Sequence, residues 1–243
     1  MSDEMFGDVQ GIVRRQMVLF LLIDTSGSME GEKIGIVNNT IREVLPELRD
    51  IGGADVDLKI AALAFSTGCK WLHTEPVSAD AFQWNNMEAD GVTDLGAALR
   101  ELNAKMSKDM FLKAPSASVA PAIFLLSDGQ PTDDYDGGLD LLRKNNWYKY
   151  AIRVALAIGG DDADKDVLAK FTGNKEAVIT VHTPEALRKW IKFITVTSTQ
   201  IGTKSQPLQD GQIETKQNQM TEAIQQQTDP EMLDSVSTDE GSW

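Results

Sequence analysis

The chain has 243 residues, 42% of them hydrophobic, with 37 acidic side chains against 23 basic ones and a formal net charge of −14. That imbalance argues against a nucleic-acid partner, because phosphate-backbone binding rests on neutralisation by Lys and Arg; it equally serves solubility. One cysteine, Cys69, and two histidines, His73 and His182, exclude an internal disulfide and any Cys/His zinc cluster.

Residues 1–16 are polar, hold no apolar segment of signal-peptide length, and read as a short N-terminal arm. The continuous apolar run at 17–23 predicts a strand buried on both faces. Apolar side chains then recur every three or four residues at Ile34, Val37, Ile41, Val44, Leu45 and Leu48. This is an amphipathic helix, which Pro46 should kink or end and Gly52 and Gly53 close. Strands are expected at 56–65 and 69–73, joined around Thr67 and Gly68 as a hairpin. Leu95, Ala98, Leu99, Leu102 and Met106 mark a helix beginning just after Thr93. A strand at 121–126 ends in Ser127, Asp128 and Gly129. A helix at 139–147, a strand at 150–158 ending in Gly159 and Gly160, a short helix at 167–171 and a last strand at 177–181 follow. Thr183 is placed to cap a closing helix with Pro184 at its first position and Leu187, Trp190, Ile191 and Ile194 on its apolar face.

Strand–helix alternation of this kind gives an α/β, Rossmann-like fold: a mostly parallel central sheet with helices on both faces, and one antiparallel edge strand from the hairpin. The longest apolar run is far short of the roughly 20 residues that span a bilayer, so a cytoplasmic protein without a membrane partner is expected. The domain should occupy residues 17–198. The stretch 199–243 is set apart as a tail, and within 205–243 eight acidic residues from Asp210 to Glu240 face Lys216 alone, half of the chain's net charge. That composition reads as disordered, with only a weak helical signal around 220–227. Thr215, Thr221, Thr228, Ser235, Ser237 and Thr238 lie among those acids as candidate phosphorylation sites.

Three loops at the C-terminal ends of neighbouring elements carry oxygen ligands. The first holds Asp24, Ser26 and Ser28, hung on the apolar strand, with Gly27 letting the backbone turn. The second runs Asp90, Gly91, Val92, Thr93, Asp94; the third is Ser127, Asp128, Gly129. Carboxylates with neutral hydroxyls suit a hard divalent ion such as Mg²⁺, with Mn²⁺ or Ca²⁺ as alternatives. In an α/β sheet that edge is where ligands bind. Plainer readings exist for each motif. Asp24 and Ser28 suit a turn plus a helix cap, and Thr93 suits an N-cap. Trp84, Trp147 and Trp190 suit packing, and Asp161, Asp162 and Asp164 suit an acidic loop that caps a helix.

Asp-x-Ser-x-Ser after a buried strand, a Thr in a Gly-bearing loop and a later strand ending in Ser-Asp-Gly together resemble the metal-ion-dependent adhesion site of von Willebrand factor A (VWA) domains, over roughly residues 13–198. The resemblance implies that Ser26, Ser28 and Thr93 place hydroxyl oxygens on the ion while Asp24 and Asp128 supply charge, directly or through water. One vertex would stay open for an Asp or Glu of a protein partner. The runs 20–29, 91–99 and 124–133 are most similar to small cytoplasmic bacterial members of the TerY type, encoded with tellurite-resistance or stress genes, often beside a Ser/Thr kinase and a phosphatase. Some of those carry a cysteine-rich zinc module, which this chain, with Cys69 as its single cysteine, does not have. An enzyme of the haloacid-dehalogenase-like phosphatase class is the alternative, since it also sets an aspartate after a buried strand and uses Mg²⁺. Its chemistry needs a second Asp two residues on, where this chain has Ser26. The stretch 27–33 lacks the Gly-Lys-Ser/Thr ending of a phosphate loop.

Overall fold

A computed structural model of the chain describes residues 14–51, 56–113, 119–159, 162–203 and 215–228. The elements are β1 (Arg15–Asp24), α1 (Glu32–Leu48), β2 (Val56–Ser66), β3 (Gly68–Trp71), β4 (Val77–Ser78), α2 (Leu95–Lys105) and β5 (Ala122–Ser127). They continue with α3 (Tyr135–Arg143), α4 (Asn146–Tyr150), β6 (Ile152–Ile158), α5 (Lys165–Thr172), β7 (Val178–Val181), α6 (Pro184–Thr203) and α7 (Lys216–Gln227).

The sheet runs β3-β2-β1-β5-β6-β7. All neighbours from β2 to β7 are parallel, while β3 and the unexpected two-residue β4 both pair antiparallel with the outer edge of β2. Every residue of β1 from Met17 to Asp24 is buried, as the unbroken apolar run requires of a central strand covered on both faces. Its alternation sorts two cores. Met17, Leu19, Leu21 and Ile23 pack with α1, α6 and α7, whereas Val18, Phe20 and Leu22 pack with α2, α3 and α5. The α/β expectation with helices on both faces therefore holds.

The differences from the expected elements have local causes. The helix foreseen at 139–147 is two helices. Asp134 caps the first by accepting from Gly137 N–H at 3.1 Å, and Asn145, in an extended conformation, caps the second by accepting from Trp147 N–H at 2.8 Å. Helix α1 accommodates Pro46 and ends two residues later. Residues 52–55, including Gly52 and Gly53, and Gly160 lie outside the described residues. Gly96 of α2 marks a helix–helix approach: a Cβ there would fall 2.3 Å from the Asp134 carbonyl oxygen at the start of α3.

Within the stretch expected to be disordered, α6 continues to Thr203 and α7 forms a buried helix, with Met220 and Ile224 in the first core. Thr221, offered as a modification site, is buried with its hydroxyl on the Gln217 carbonyl at 2.9 Å, and Thr215 caps α7. Ser235, Ser237 and Thr238 lie outside the described residues. No described helix is long and apolar enough to cross a membrane.

Two tyrosines of the second core make the fold sensitive to alkali. Tyr148 donates to the Phe171 carbonyl and Tyr135 to the Val167 carbonyl at 2.8 Å, and burial pushes both phenols above the usual 10. The native state thus holds protons that the unfolded chain releases near pH 10, so stability is intact below that value and falls as pH rises through it. For Tyr148 the slope is about 1.4 kcal/mol per pH unit. Urea unfolding between pH 10 and 11 should show a shallower pH dependence in Tyr148→Phe than in the wild type; identical slopes would refute the assignment.

Candidate functional site

From β1 the chain crosses to β2 on one side and later returns to β5 on the other. The crevice outside the carboxyl ends of β1 and β5 is therefore a topological switch point, where open α/β sheets bind ligands. Asp24 ends β1, and Asp128 directly follows β5. The last register pair, Ile23 with Leu126, sets Asp24 beside Ser127.

Both carboxylates are completely buried. Asp24 is held at each oxygen: Oδ1 accepts from Ser26 N–H at 2.9 Å and Oδ2 from the Ser127 hydroxyl at 2.5 Å. Burial raises its pKa above 3.8, these hydrogen bonds oppose the shift, and repulsion from Asp128 adds to it. On Asp128, Oδ2 meets Lys33 Nζ at 3.1 Å, while Oδ1 is buried without a hydrogen-bond partner. An orphaned buried acceptor is costly and calls for a donor or a cation. The hydroxyls of Ser26 and Ser28 lie 3.0 Å apart, with Ser26 buried and Ser28 exposed.

The middle loop closes on this pair through its backbone. Gly27 N–H donates to the Gly91 carbonyl at 3.0 Å, and Asp90 N–H to the Thr25 carbonyl at 2.9 Å. Thr93 is buried, its N–H on Thr132 Oγ1 at 3.0 Å and its carbonyl taking Thr132 N–H at 2.9 Å. The capping roles open to these residues in the sequence fall elsewhere. Helix α1 begins after Gly31, and α2 begins after Asp94. The first amides of α2, from Gly96 and Ala97, donate to the Asp133 carboxylate, both at 2.8 Å. Asp164, from the acidic loop, caps α5 through Val167 N–H at 3.1 Å, and Asp161 lies outside the described residues. Trp84, Trp147 and Trp190 are half-buried and pack against the two cores.

The arrangement therefore joins Asp24, Ser26 and Ser28 directly, ties Asp128 to them through the neighbouring Ser127, and draws in Thr93 through its loop. Gly27, Ser28, Gly91 and Val92 form the exposed rim of these two loops. The roles of two residues escaped the sequence reading. Ser127 bridges Asp24 and the Gly129 N–H, the latter at 2.8 Å, and its place in Ser-Asp-Gly was the available signal. Lys33 gave none beyond its charge. Ser127→Ala should cost about 1–3 kcal/mol in urea unfolding, because it strips a partner from two buried groups; a loss below the error of the measurement would deny the bridge its role.

Among the described residues no group of three or more His, Cys, Asp or Glu side chains is placed to hold a metal. A cation here would have two carboxylates and neutral oxygens. That donor set fits a hard ion such as Mg²⁺, and the unpartnered Asp128 Oδ1 fits it as well.

No curated protein sequence matches the chain significantly. Several solved structures are similar. A von Willebrand factor type A protein from Catenulispora acidiphila aligns at 19% identity and TM-score 0.54, over 76% of this chain and 43% of that one. The pilus adhesin SpaC of Lactobacillus rhamnosus GG aligns at 14% and 0.55, over 76% and 31%, and the PilB minor pilin of Streptococcus sanguinis at 15% and 0.59, over 81% and 64%. The chain spans less than two thirds of each of these proteins, and at such identities the likeness speaks for the fold alone. The family profile of the von Willebrand factor type A domain matches residues 19–192, from within β1 to within α6 and so across the whole parallel sheet; the chain belongs to that family.

Proposed function

We propose that this chain is a metal-dependent protein–protein interaction module, in which Asp24, Ser26, Ser28, Thr93 and Asp128 hold Mg²⁺ and the ion captures an Asp or Glu of a partner. The observation that carries the proposal is the pair of fully buried carboxylates at the ends of β1 and β5, one of whose oxygens lacks any partner, with the buried Ser26 hydroxyl paired to the exposed Ser28 hydroxyl in the loop that follows Asp24. A dication supplies a Lewis-acidic positive charge at one spot of a strongly acidic protein. The chain's own residues do the rest. Asp24 is oriented by Ser127 and the Ser26 amide, and Asp128 is fixed at the end of β5. The bond from Gly27 to Gly91 ties the serine loop to the threonine loop, so the rim is set before any partner arrives.

A binding role is favoured over phosphatase chemistry because Ser26 stands where a general acid would be needed and cannot protonate a leaving group at neutral pH. Hydrolysis of a generic phosphate ester by the wild type, lost in Asp24→Ala, would reverse that preference. The finer setting, a cytoplasmic bacterial stress, tellurite-resistance or phage-defence system with a Ser/Thr kinase and a phosphatase, rests on the TerY-type resemblance of the three motifs. The regulated-substrate reading of the tail would confine modification to hydroxyls other than the buried Thr221.

Affinity capture from a cell extract in Mg²⁺ and in EDTA, with wild type and Asp24→Ala side by side, tests the main proposal. A partner retained only by the wild type in Mg²⁺ is expected. Equal retention in EDTA would dismiss the metal's role.

A further inference from the structure

Lys33 lies in the first turn of α1, where a cation faces the positive end of the helix dipole. The helix therefore gains nothing from its charge there. Its side chain instead runs inward: Nζ reaches Asp128 Oδ2 at 3.1 Å, with the Lys33 side chain 20% exposed and that of Asp128 fully buried. The route passes over Gly159 at the end of β6. That residue has φ +99°, and a Cβ on it would fall 2.3 Å from Lys33 Cε and 2.9 Å from Nζ. A side chain at 159 would occupy the path of the lysine stem, so the glycine leaves it open.

We infer that the Lys33 ammonium is a tethered counterion that occupies the cation's place beside Asp128 when no metal is bound and competes with a divalent ion for that carboxylate. The inference rests on the reading of these three loops as a cation site. Two buried carboxylates share the site and repel each other. A single ammonium on Asp128 relieves part of that repulsion and leaves Oδ1 of the same carboxylate without a partner. A dication arriving at Oδ1 would face the ammonium's positive charge on Oδ2 of the same carboxylate, so the two oppose each other there. The side chain is already partly exposed, which gives it a way out to solvent. Lys33 thereby sets how much free metal is needed to load the site, while the metal-free domain stays partly neutralised.

Calorimetric titration of Mg²⁺ into wild type, Lys33→Met and Lys33→Gln decides the matter, with thermal melting in EDTA and in excess Mg²⁺ as the second readout. Removing the ammonium should tighten Mg²⁺ binding at least tenfold. It should also lower the melting temperature in EDTA, with Mg²⁺ restoring it. Should Lys33→Met fail to fold without metal, Lys33→Gln keeps a hydrogen-bond donor and allows the same comparison. Wild-type binding with equal or weaker affinity in both variants would overturn the competition and leave the metal reading standing. Absence of binding heat in wild type and variants alike, all folded by circular dichroism, would overturn the metal reading and this inference with it.

Discussion

Asp24→Asn is expected to abolish Mg²⁺ binding and, in EDTA, to make the protein more stable than the wild type. The amide keeps an oxygen to accept from Ser26 N–H and presents a donor where the Ser127 hydroxyl can accept. What it removes is a charge that burial disfavours and that Asp128 repels. The Lys33–Asp128 pair then remains as a balanced ion pair. The gain should appear as a higher urea midpoint in EDTA, because the charge removed is one that burial disfavours. The loss should be at least about 100-fold in Mg²⁺ affinity, or about 2.7 kcal/mol. Opposite signs for stability and binding at one position mark a residue kept for function. Calorimetry that finds the same Mg²⁺ affinity in both proteins would defeat the assignment of Asp24 as a ligand.

Unfolding should be as strongly affected at α7, away from the three oxygen-bearing loops. Strand β7 covers β6 only from Ala155 onward, which leaves the backbone of Arg153 without a strand neighbour on that side. Gln217 fills the gap with its side-chain amide. It accepts from Arg153 N–H at 2.8 Å and donates to the Arg153 carbonyl at 2.9 Å, as a neighbouring strand would. Lys216 donates to the terminal carbonyls of α6, from Ile201 and Gly202, at 3.1 and 2.7 Å. Met220 is fully buried beneath these contacts. Met220→Ala should cost about 2–5 kcal/mol through the cavity it leaves, and Gln217→Ala about 1–3 kcal/mol through two unpaired backbone groups. Urea midpoints unchanged by both substitutions would mean that α7 contributes nothing to the domain.

That helix also shows where the sequence ran out. Its apolar positions are sparse, and Met220 and Ile224 sit among glutamines and threonines. Periodicity alone therefore gave only a weak signal, because the anchoring comes from α6 and the β6 edge. The split of 139–147 was missed for a related reason: Asn145 is held by Asn103 and Met106, residues remote in sequence. By contrast, β1 and β5 were legible because a strand buried on both faces must be apolar throughout.

Read alone, the sequence determined the alternation of strands and helices, the parallel sheet with an antiparallel edge, and the three oxygen-bearing loops at strand ends. Those features are local, since period, apolar runs and loop chemistry do not depend on what lies across the molecule. Tertiary structure alone decided that Ser127 bridges to Asp24, that Lys33 reaches Asp128, that one oxygen of that carboxylate is left unpartnered, and that α7 completes the edge of β6. Each of these joins residues far apart in the chain, and such a contact follows from strand order and burial rather than from the residues on either side of it.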